Sequence, residues 1–375
     1  VTKGFLYNRP YTEKKSNHQE PDITSSNNHN DTLLKILSNE NVCSRKPIYE
    51  KYDKQVQGRT YIETGAADAG VMAPFNSSQY PKEIREVGLA LSTDHNPRFG
   101  LIDPYWSGVN AVVEAMRNVA SVGATPHAIT DCLCYGNPEK PQQMWEFVEG
   151  VRGISDACKT ITLKHSPEDP TPIIAGNVSF YNESKNKPIP PSPIVSCLGK
   201  IKNVKKTITN SFKKEGSALI MIGKRKNELG GSIYYSLHNE LGKNVPKPNL
   251  IEVKHQIYSL TDCIEQDLII ACHDISEGGI AASLSEMTFE YSIGCDVRID
   301  SELSIEKILF SETGGFVLEA DNNQVESIRS VFRKRNLDIY VIGQTGGNRI
   351  EIYDTVNILV EEAKTCWENG LKEKL

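Results

Sequence analysis

The sequence lacks the features that mark several large classes of protein. No apolar run approaches the roughly 18 residues that a membrane-spanning helix needs. Acidic residues outnumber basic ones by 48 to 42, and the net charge of -6 argues against a general nucleic-acid binder. The nine cysteines include no Cys-x-x-Cys pair, and no two histidines have zinc-site spacing. With no visible signal peptide, we therefore expect a cytoplasmic protein with reduced thiols and no nucleic-acid or membrane partner.

Two common nucleotide-binding motifs are also absent. The chain contains neither Gly-x4-Gly-Lys-[Ser/Thr] nor Gly-x-Gly-x-x-Gly. Its 375 residues nevertheless suffice for two or three domains with sizeable cores. It begins with Val1 rather than methionine, as a processed product or a piece of a longer protein would.

The pattern of the chain predicts an extension followed by two domains. Residues 1–48 are polar and are interpreted as a linker or a loosely attached extension, with a short helix at 32–37. Beyond them strands alternate with helices, which predicts an α/β (α+β) architecture. The lysine-rich segment 200–214 separates two patterned halves, so we expect domains at 49–202 and 203–375.

Four oxygen-bearing side chains stand where they could meet at one site. Asp94 ends a strand predicted at 87–94, and Asp274 follows a strand predicted at 268–272, in a glycine-rich loop. Glu114 and Asn118 lie four residues apart on one face of the best-patterned helix, whose apolar positions run from Val109 to Ala120. Such a set suits Mg2+. The alternative is that Glu114 is a solvated charge and Asp274 a helix N-cap.

Two further groups of residues are candidates for a phosphate or metal site. Ser276 and the N–H groups of Gly278 and Gly279 open a predicted helix and could receive phosphate oxygens. The stretch 171–184 predicts a short buried strand that ends in Gly176-Asn177. Gly176 allows close approach of a phosphate, Asn177 offers a neutral oxygen to Mg2+, and Ser179 can hydrogen-bond a polar ligand. The alternative there is a strand followed by an Asx turn. His95, His127 and His273, near strand ends, are interpreted as hydrogen-bonded structural residues.

Four motifs, in this order, resemble the phosphoribosylformylglycinamidine synthase family, the formylglycinamide ribonucleotide amidotransferases. They are Thr93–Arg98, Thr130–Pro141, Gly176–Glu183 and His273–Gly279. The resemblance implies an aminoimidazole ribonucleotide synthetase-like fold, with an N-type domain followed by a C-type domain. Family enzymes carry two tandem copies of this unit, and the chain resembles the second. Its segment 93–97 lacks the second histidine of the motif that carries the family's catalytic histidine, so the catalytic residues of this chain are unknown.

The resemblance also implies a function. It is a part of a C–N ligase of de novo purine biosynthesis, which converts formylglycinamide ribonucleotide to formylglycinamidine ribonucleotide with ATP, Mg2+ and glutamine-derived ammonia. The implied partners are a glutaminase subunit or domain and the first synthetase-like half or a second copy of the chain. The alternatives are a non-catalytic half that holds a structural Mg-nucleotide, and a small-molecule kinase or synthetase of the same superfamily.

Residue roles follow from the resemblance alone. Asp131 and Gly176 would contact ATP, Asn177 its Mg2+ and Ser179 the substrate. A second, auxiliary nucleotide would have its Mg2+ held by Asp94, Glu114, Asn118 and Asp274, with Thr93 and Ser276 beside it.

Overall fold

Two large sheets, one in each half of the chain, organise the computed structural model, which describes residues 4, 7–15, 17–23, 28–185, 187–372 and 374–375. The first half contains, in chain order, α1 (His29–Leu37), α2 (Lys46–Tyr49), β1 (Thr60–Ile62), β2 (Gly70–Met72), β3 (Gly88–Asp94), α3 (Pro97–Ile102), α4 (Pro104–Ser121), β4 (Thr125–Cys134), α5 (Pro141–Thr160), β5 (Thr162–Leu163), β6 (Ser166–Pro170), β7 (Ile173–Ser179), β8 (Glu183–Ser184), β9 (Lys187–Pro188) and β10 (Ser192–Ile201).

The second half continues the alternation of strands and helices. It contains β11 (Ala218–Ile222), α6 (Ile233–Leu237), α7 (Leu250–Glu265), β12 (Ala271–Ile275), α8 (Gly279–Thr288), β13 (Cys295–Val297), α9 (Ile305–Phe310), β14 (Gly315–Ala320), α10 (Val325–Arg333), β15 (Tyr340–Thr345), β16 (Arg349–Ile352), β17 (Val356–Leu359) and α11 (Val360–Lys372).

Each half of the chain builds one mixed sheet. Sheet 1 has the strand order β1-β2-β3-β10-β4-β7, and sheet 2 the order β12-β14-β11-β15-β13-β16-β17. In sheet 1 the β4–β7 pair is parallel, and in sheet 2 the β13–β16 pair. Sheet 1 ends with β10 at Ile201 and sheet 2 begins with β11 at Ala218. The segment between them coincides with the lysine-rich stretch, although the exact domain limits stay a prediction.

Helices α4 and α5 cross closely over one face of sheet 1 because glycines stand at the crossing. A Cβ at Gly108 would lie 2.2 Å from the carbonyl oxygen of Gly150, and one at Gly153 would lie 2.1 Å from that of Tyr105. A side chain at either position would push the helices apart. Helix α4 also contacts β3, β10 and α7, so it lies between the two halves.

The two halves share a hydrophobic core. One buried cluster includes Val112 and Met116 of α4 as well as Ile257 of α7 and Phe316 of β14. Helix α7 is absent from our sequence predictions, and the strand predicted at 268–272 lies three residues later, as β12 (Ala271–Ile275). Within the described residues, none of the helices combines the length and apolar character that crossing a membrane requires. All nine cysteines are free thiols.

The N-terminal extension is more firmly attached than its polar composition suggests. Helix α1 contacts α6, α8 and α11, and Leu33, Ile36 and Leu37 are fully buried in the core of the second half. The expectation of a loosely attached extension is therefore wrong for α1, because one face of this helix is apolar. Residues 24–27 of the same extension lie outside the described residues.

We expect Leu33→Ala to lower the free energy of unfolding by about 2–5 kcal/mol, because the substitution leaves a cavity in a closed core. Urea denaturation measures the change. Lys35→Ala, on the exposed face of the same helix, is the matched control and should change stability by less than about 0.5 kcal/mol. Equal, small effects of both substitutions would mean that α1 contributes little to the fold.

Candidate functional site

The first candidate site lies where β7 pairs with β4 at one edge of sheet 1. The parallel register sets Asp131 opposite Gly176, Cys132 opposite Asn177 and Cys134 opposite Ser179. A Cβ at Gly176 would lie 2.5 Å from Asp131 Oδ1, so only glycine leaves room for this carboxylate. Burial raises the pKa of Asp131. The structure thus brings Asp131 and Gly176 into direct contact.

The strand that carries Gly176 and Asn177 is exposed, not buried as predicted. Ile173 is 46%, Ile174 63% and Val178 49% exposed. The prediction is wrong because β7 is the last strand of sheet 1 in the described part of the chain, so its outer edge has no neighbouring strand. Apolar residues on such an edge are available to another protein surface.

Asn177 and Ser179 project from the opposite face of the sheet to Asp131 and Gly176, because side chains alternate along a strand. Ser179 Oγ lies 3.2 Å from both Oδ1 and Nδ2 of Asn182, whose Nδ2 also donates to the Tyr135 carbonyl oxygen at 3.0 Å. Asn182, rather than Asn177, therefore holds the turn after β7. Asn177 is exposed and keeps its side chain available.

The second candidate site lies between the two halves and brings together Asp94, Glu114 and Asp274. Asp94 ends β3, and Glu114 on α4 is 8% exposed rather than a solvated charge. Asp274 lies inside β12, opposite Phe316 of β14, and is 2% exposed. The predicted loop position of Asp274 is wrong, and so is the N-cap alternative, because α8 is capped by Gly278 with a φ of 80°.

Burial in a cluster of like charges perturbs these carboxyl groups. Desolvation, and then the neighbouring carboxylates, hold the pKa of Asp94 and of Glu114 well above their usual values. Burial also raises the pKa of Asp274 to about 6, against the opposing effect of Arg117.

Arg117 of α4 lies among these carboxylates. Its Nε donates to Asp274 Oδ1 at 2.6 Å, and its Nη2 is 3.5 Å from Asp274 Oδ2 and 3.6 Å from Glu114 Oε2. The Arg117 side chain is 4% exposed. We name Asp94, Glu114, Arg117 and Asp274 the seam cluster.

Three other predicted residues do not join the seam cluster. Asn118 is half-buried, and no hydrogen bond links its side chain to the cluster among the described residues. Thr93 lies on the other face of β3 from Asp94 and shares a hydrogen bond of 2.6 Å with Ser196. Ser276 lies between β12 and α8, and among the described residues no hydrogen bond of its side chain joins it to the cluster.

The predicted phosphate-binding N–H groups at the start of α8 are already in use. The N–H of Gly278 donates to Glu312 Oε1 at 3.0 Å, and the N–H of Gly279 donates to the Ser276 carbonyl oxygen at 2.9 Å. The carboxyl group of Glu312 therefore occupies the position at which the sequence predicts a phosphate.

Two histidines near the seam cluster behave differently from each other. His273 lies between Asp68 Oδ1 and Glu286 Oε2, each at 2.7 Å, and these carboxylates hold its pKa well above its usual value despite burial. His273 is thus a hydrogen-bonded structural residue, as interpreted. The ring nitrogens of His95 are buried with no partner in the described structure, and burial lowers its pKa to about 4.

The seam cluster does not fit a Mg2+ ion as it stands. Its arginine is bonded directly to the carboxylate that the metal would need, and Mg2+ demands a near-octahedral shell of oxygens. In the described part of the chain, no group of three or more His, Cys, Asp or Glu side chains is placed to hold a metal ion.

Comparisons with known proteins identify the two halves. Residues 67–201 match the family model "AIR synthase related protein, N-terminal domain", and residues 214–354 match "AIR synthase related protein, C-terminal domain". A curated relative, phosphoribosylformylglycinamidine synthase subunit PurL of Methanothrix thermoacetophila, is 41% identical over 382 residues, which cover 100% of this chain and 49% of the relative. The same subunit of Methanocaldococcus jannaschii is 36% identical over 376 residues, with 96% and 49% covered. The chain thus spans about half the length of the curated relatives it matches.

Solved structures support the same fold. The structure described as "T. maritima PurL complexed with FGAR" superposes with a TM-score of 0.68 at 16% identity, covering 89% of this chain and 52% of that chain. "T. maritima PurL complexed with ADP" gives 0.63 at 16% identity, covering 88% and 51%. These similarities confirm the predicted fold class and the resemblance on which it rested. The chain therefore belongs to the AIR synthase related family and carries the N-terminal and C-terminal domains of that family in tandem.

Proposed function

We propose that the chain is the second synthetase-like half of a phosphoribosylformylglycinamidine synthase and supplies one wall of its ATP and substrate site. The observation that carries the proposal is the exposed edge of sheet 1, where β4 and β7 set Asp131 against Gly176 and end at Asn177 and Ser179. The identity of 41% to a curated PurL subunit over the whole chain supports it.

The reaction needs an amide oxygen turned into a leaving group. ATP transfers its γ-phosphoryl group to the amide oxygen of formylglycinamide ribonucleotide; ammonia then attacks the carbon, and phosphate leaves with that oxygen. In this proposal the ligands meet at the open edge of β7: Asp131 and Gly176 position ATP from one face of the sheet, and the hydroxyl group of Ser179 hydrogen-bonds the substrate from the other. The exposed amide oxygen of Asn177 suits Mg2+ as one ligand, since this ion takes its other ligands from phosphates and water.

The remaining wall of the site would come from a partner that covers sheet 1. Met72 is 40% and Leu91 52% exposed on the face of the sheet opposite α4, which leaves an apolar surface for such a partner. The partner would be the first synthetase-like half or a second copy of the chain. A glutaminase subunit or domain would supply ammonia.

We expect Ser179→Ala, in the enzyme assembled with its other half, to raise the KM for formylglycinamide ribonucleotide by about 10-fold or more, because one substrate hydrogen bond is lost. Asp131→Asn should instead raise the KM for ATP. Steady-state kinetics with each substrate varied in turn measures both changes.

The matched control is Ser184→Ala, which removes an exposed hydroxyl on β8 outside the proposed site. It should leave both constants unchanged. Unaltered kinetics of both Ser179→Ala and Asp131→Asn would contradict the assignment of this sheet edge to the active site.

A further inference from the structure

Arg117 joins the two halves of the chain through a buried ion pair. It rises from α4 in the first half and meets Asp274 of β12 in the second, with Nε 2.6 Å from Oδ1. Arg117 is 3% and Asp274 2% exposed, so both charges have left water. A buried ion pair is stable only when each charge has its partner. Removing one side chain leaves the other as a buried charge without compensation, which destabilises the fold.

The chain makes room for this guanidinium with a glycine. A Cβ at Gly314 would lie 2.0 Å from Arg117 Nη1 and 2.3 Å from its Cζ. The loop that carries Gly314 is itself fixed by the buried Arg225, whose guanidinium donates to the carbonyl oxygens of Thr313 and Ser311. Three separate segments therefore fix the position of Arg117: α4, which carries it, β12, which provides Asp274, and the loop that carries Gly314.

A positive charge already lies among the carboxyl groups of the seam cluster. Arg117 faces Asp274 directly, with Nε 2.6 Å from Oδ1, and its Nη2 lies 3.6 Å from Glu114 Oε2. The guanidinium therefore offsets part of the negative charge that a metal ion would otherwise neutralise. A divalent cation at the same oxygens would be repelled by the guanidinium.

We infer that Arg117 takes the place that the family resemblance gives to the Mg2+ of an auxiliary nucleotide, so that a side chain, and not a metal ion, joins the two halves at the seam cluster. A guanidinium suits this task because it is always charged and its planar donors match a carboxylate. Asp94, Glu114 and Asp274 then act as partners of Arg117 rather than as metal ligands.

The number of Mn2+ ions bound without nucleotide tests this inference. We would titrate the wild-type chain, Asp274→Asn and Arg117→Ala with Mn2+ as a Mg2+ substitute, following free Mn2+ by electron paramagnetic resonance. The wild type and Asp274→Asn should bind equal numbers of Mn2+. Arg117→Ala should bind one more, and Mn2+ should raise its melting temperature. Asn177→Ala, titrated in parallel, shows whether any of the bound Mn2+ lies at the edge of sheet 1. The Mn2+ count at the seam cluster can then be interpreted independently of the proposed catalytic site.

Loss of one bound Mn2+ in Asp274→Asn would overturn the inference, and so would a folded Arg117→Ala that binds no additional ion. Should Arg117→Ala fail to fold, Gly314→Ala provides a milder displacement of the guanidinium. It should lower the melting temperature and create a Mn2+ site that Asp274→Asn abolishes. A melting temperature and a Mn2+ count equal to those of the wild type would contradict the assignment.

Discussion

The isolated chain should form no formylglycinamidine ribonucleotide from ATP, ammonia and formylglycinamide ribonucleotide. It spans about half the length of the curated relatives it matches, and in the proposed function the opposite wall of the site belongs to a partner. The histidine of its incomplete motif is also a poor candidate for a base, because burial lowers the pKa of His95 to about 4. A general base works best with a pKa near the operating pH.

This expectation is tested by measuring formylglycinamidine ribonucleotide directly by mass spectrometry, with ammonia in place of glutamine. A complete PurL subunit, assayed under the same conditions, is the positive control, and adding the missing half to the chain should restore product. The effect is large, since general acid-base catalysis alone contributes about 100- to 10,000-fold. Sustained turnover by the chain alone would refute both the assignment to one half and the need for a partner wall.

Local patterns predicted the elements that carry the sites. The helical spacing of the apolar residues in α4 set Glu114 near Asn118, and the apolar run of β3 located Asp94 at a strand end. The similarity of the motifs to one family added the pairing of Asp131 with Gly176, which spacing within the chain could not supply.

Contacts between distant segments account for what the sequence missed. The sequence pattern does not reveal that Arg117 is buried, because its partner Asp274 lies 157 positions away on β12. The sequence pattern ends the predicted strand before His273, because His273 and Asp274 are polar. It does not show that both are buried in β12, since Asp68, the partner of His273, is 205 positions away. The exposure of β7 follows from the order of strands in sheet 1, and a strand's own residues do not fix its place in that order.

Glu312 should give the chain a marked dependence of stability on pH. It is 5% exposed; its Oε1 accepts hydrogen bonds from the N–H groups of Ile233 at 2.8 Å and Gly278 at 3.0 Å, whereas Oε2 is buried with no partner in the described structure. Burial, followed by the charge of Glu277, raises the pKa of Glu312 from 4.5 to about 8, although both backbone donors and Arg98 act in the opposite direction.

The sign of the effect follows from proton linkage. Between pH 4.5 and about 8 the folded chain holds a proton on Glu312 that the unfolded chain has lost. The stabilising contribution of this group is therefore complete below pH 4.5 and falls as the pH rises towards the folded pKa. The slope is at most about 1.4 kcal/mol per pH unit.

Glu312→Gln should remove this dependence while keeping the acceptor for both N–H groups. We expect the difference in unfolding free energy between the variant and the wild type to shift in favour of the variant by about 2–4 kcal/mol from about pH 5 to about pH 8. Urea denaturation across this range measures it, and Glu326→Gln, whose side chain is 78% exposed on α10, is the control that should track the wild type. Parallel pH profiles of Glu312→Gln and the wild type would show that Glu312 is ionised in the fold, because only a proton held in the folded state and lost in the unfolded one can separate the two curves.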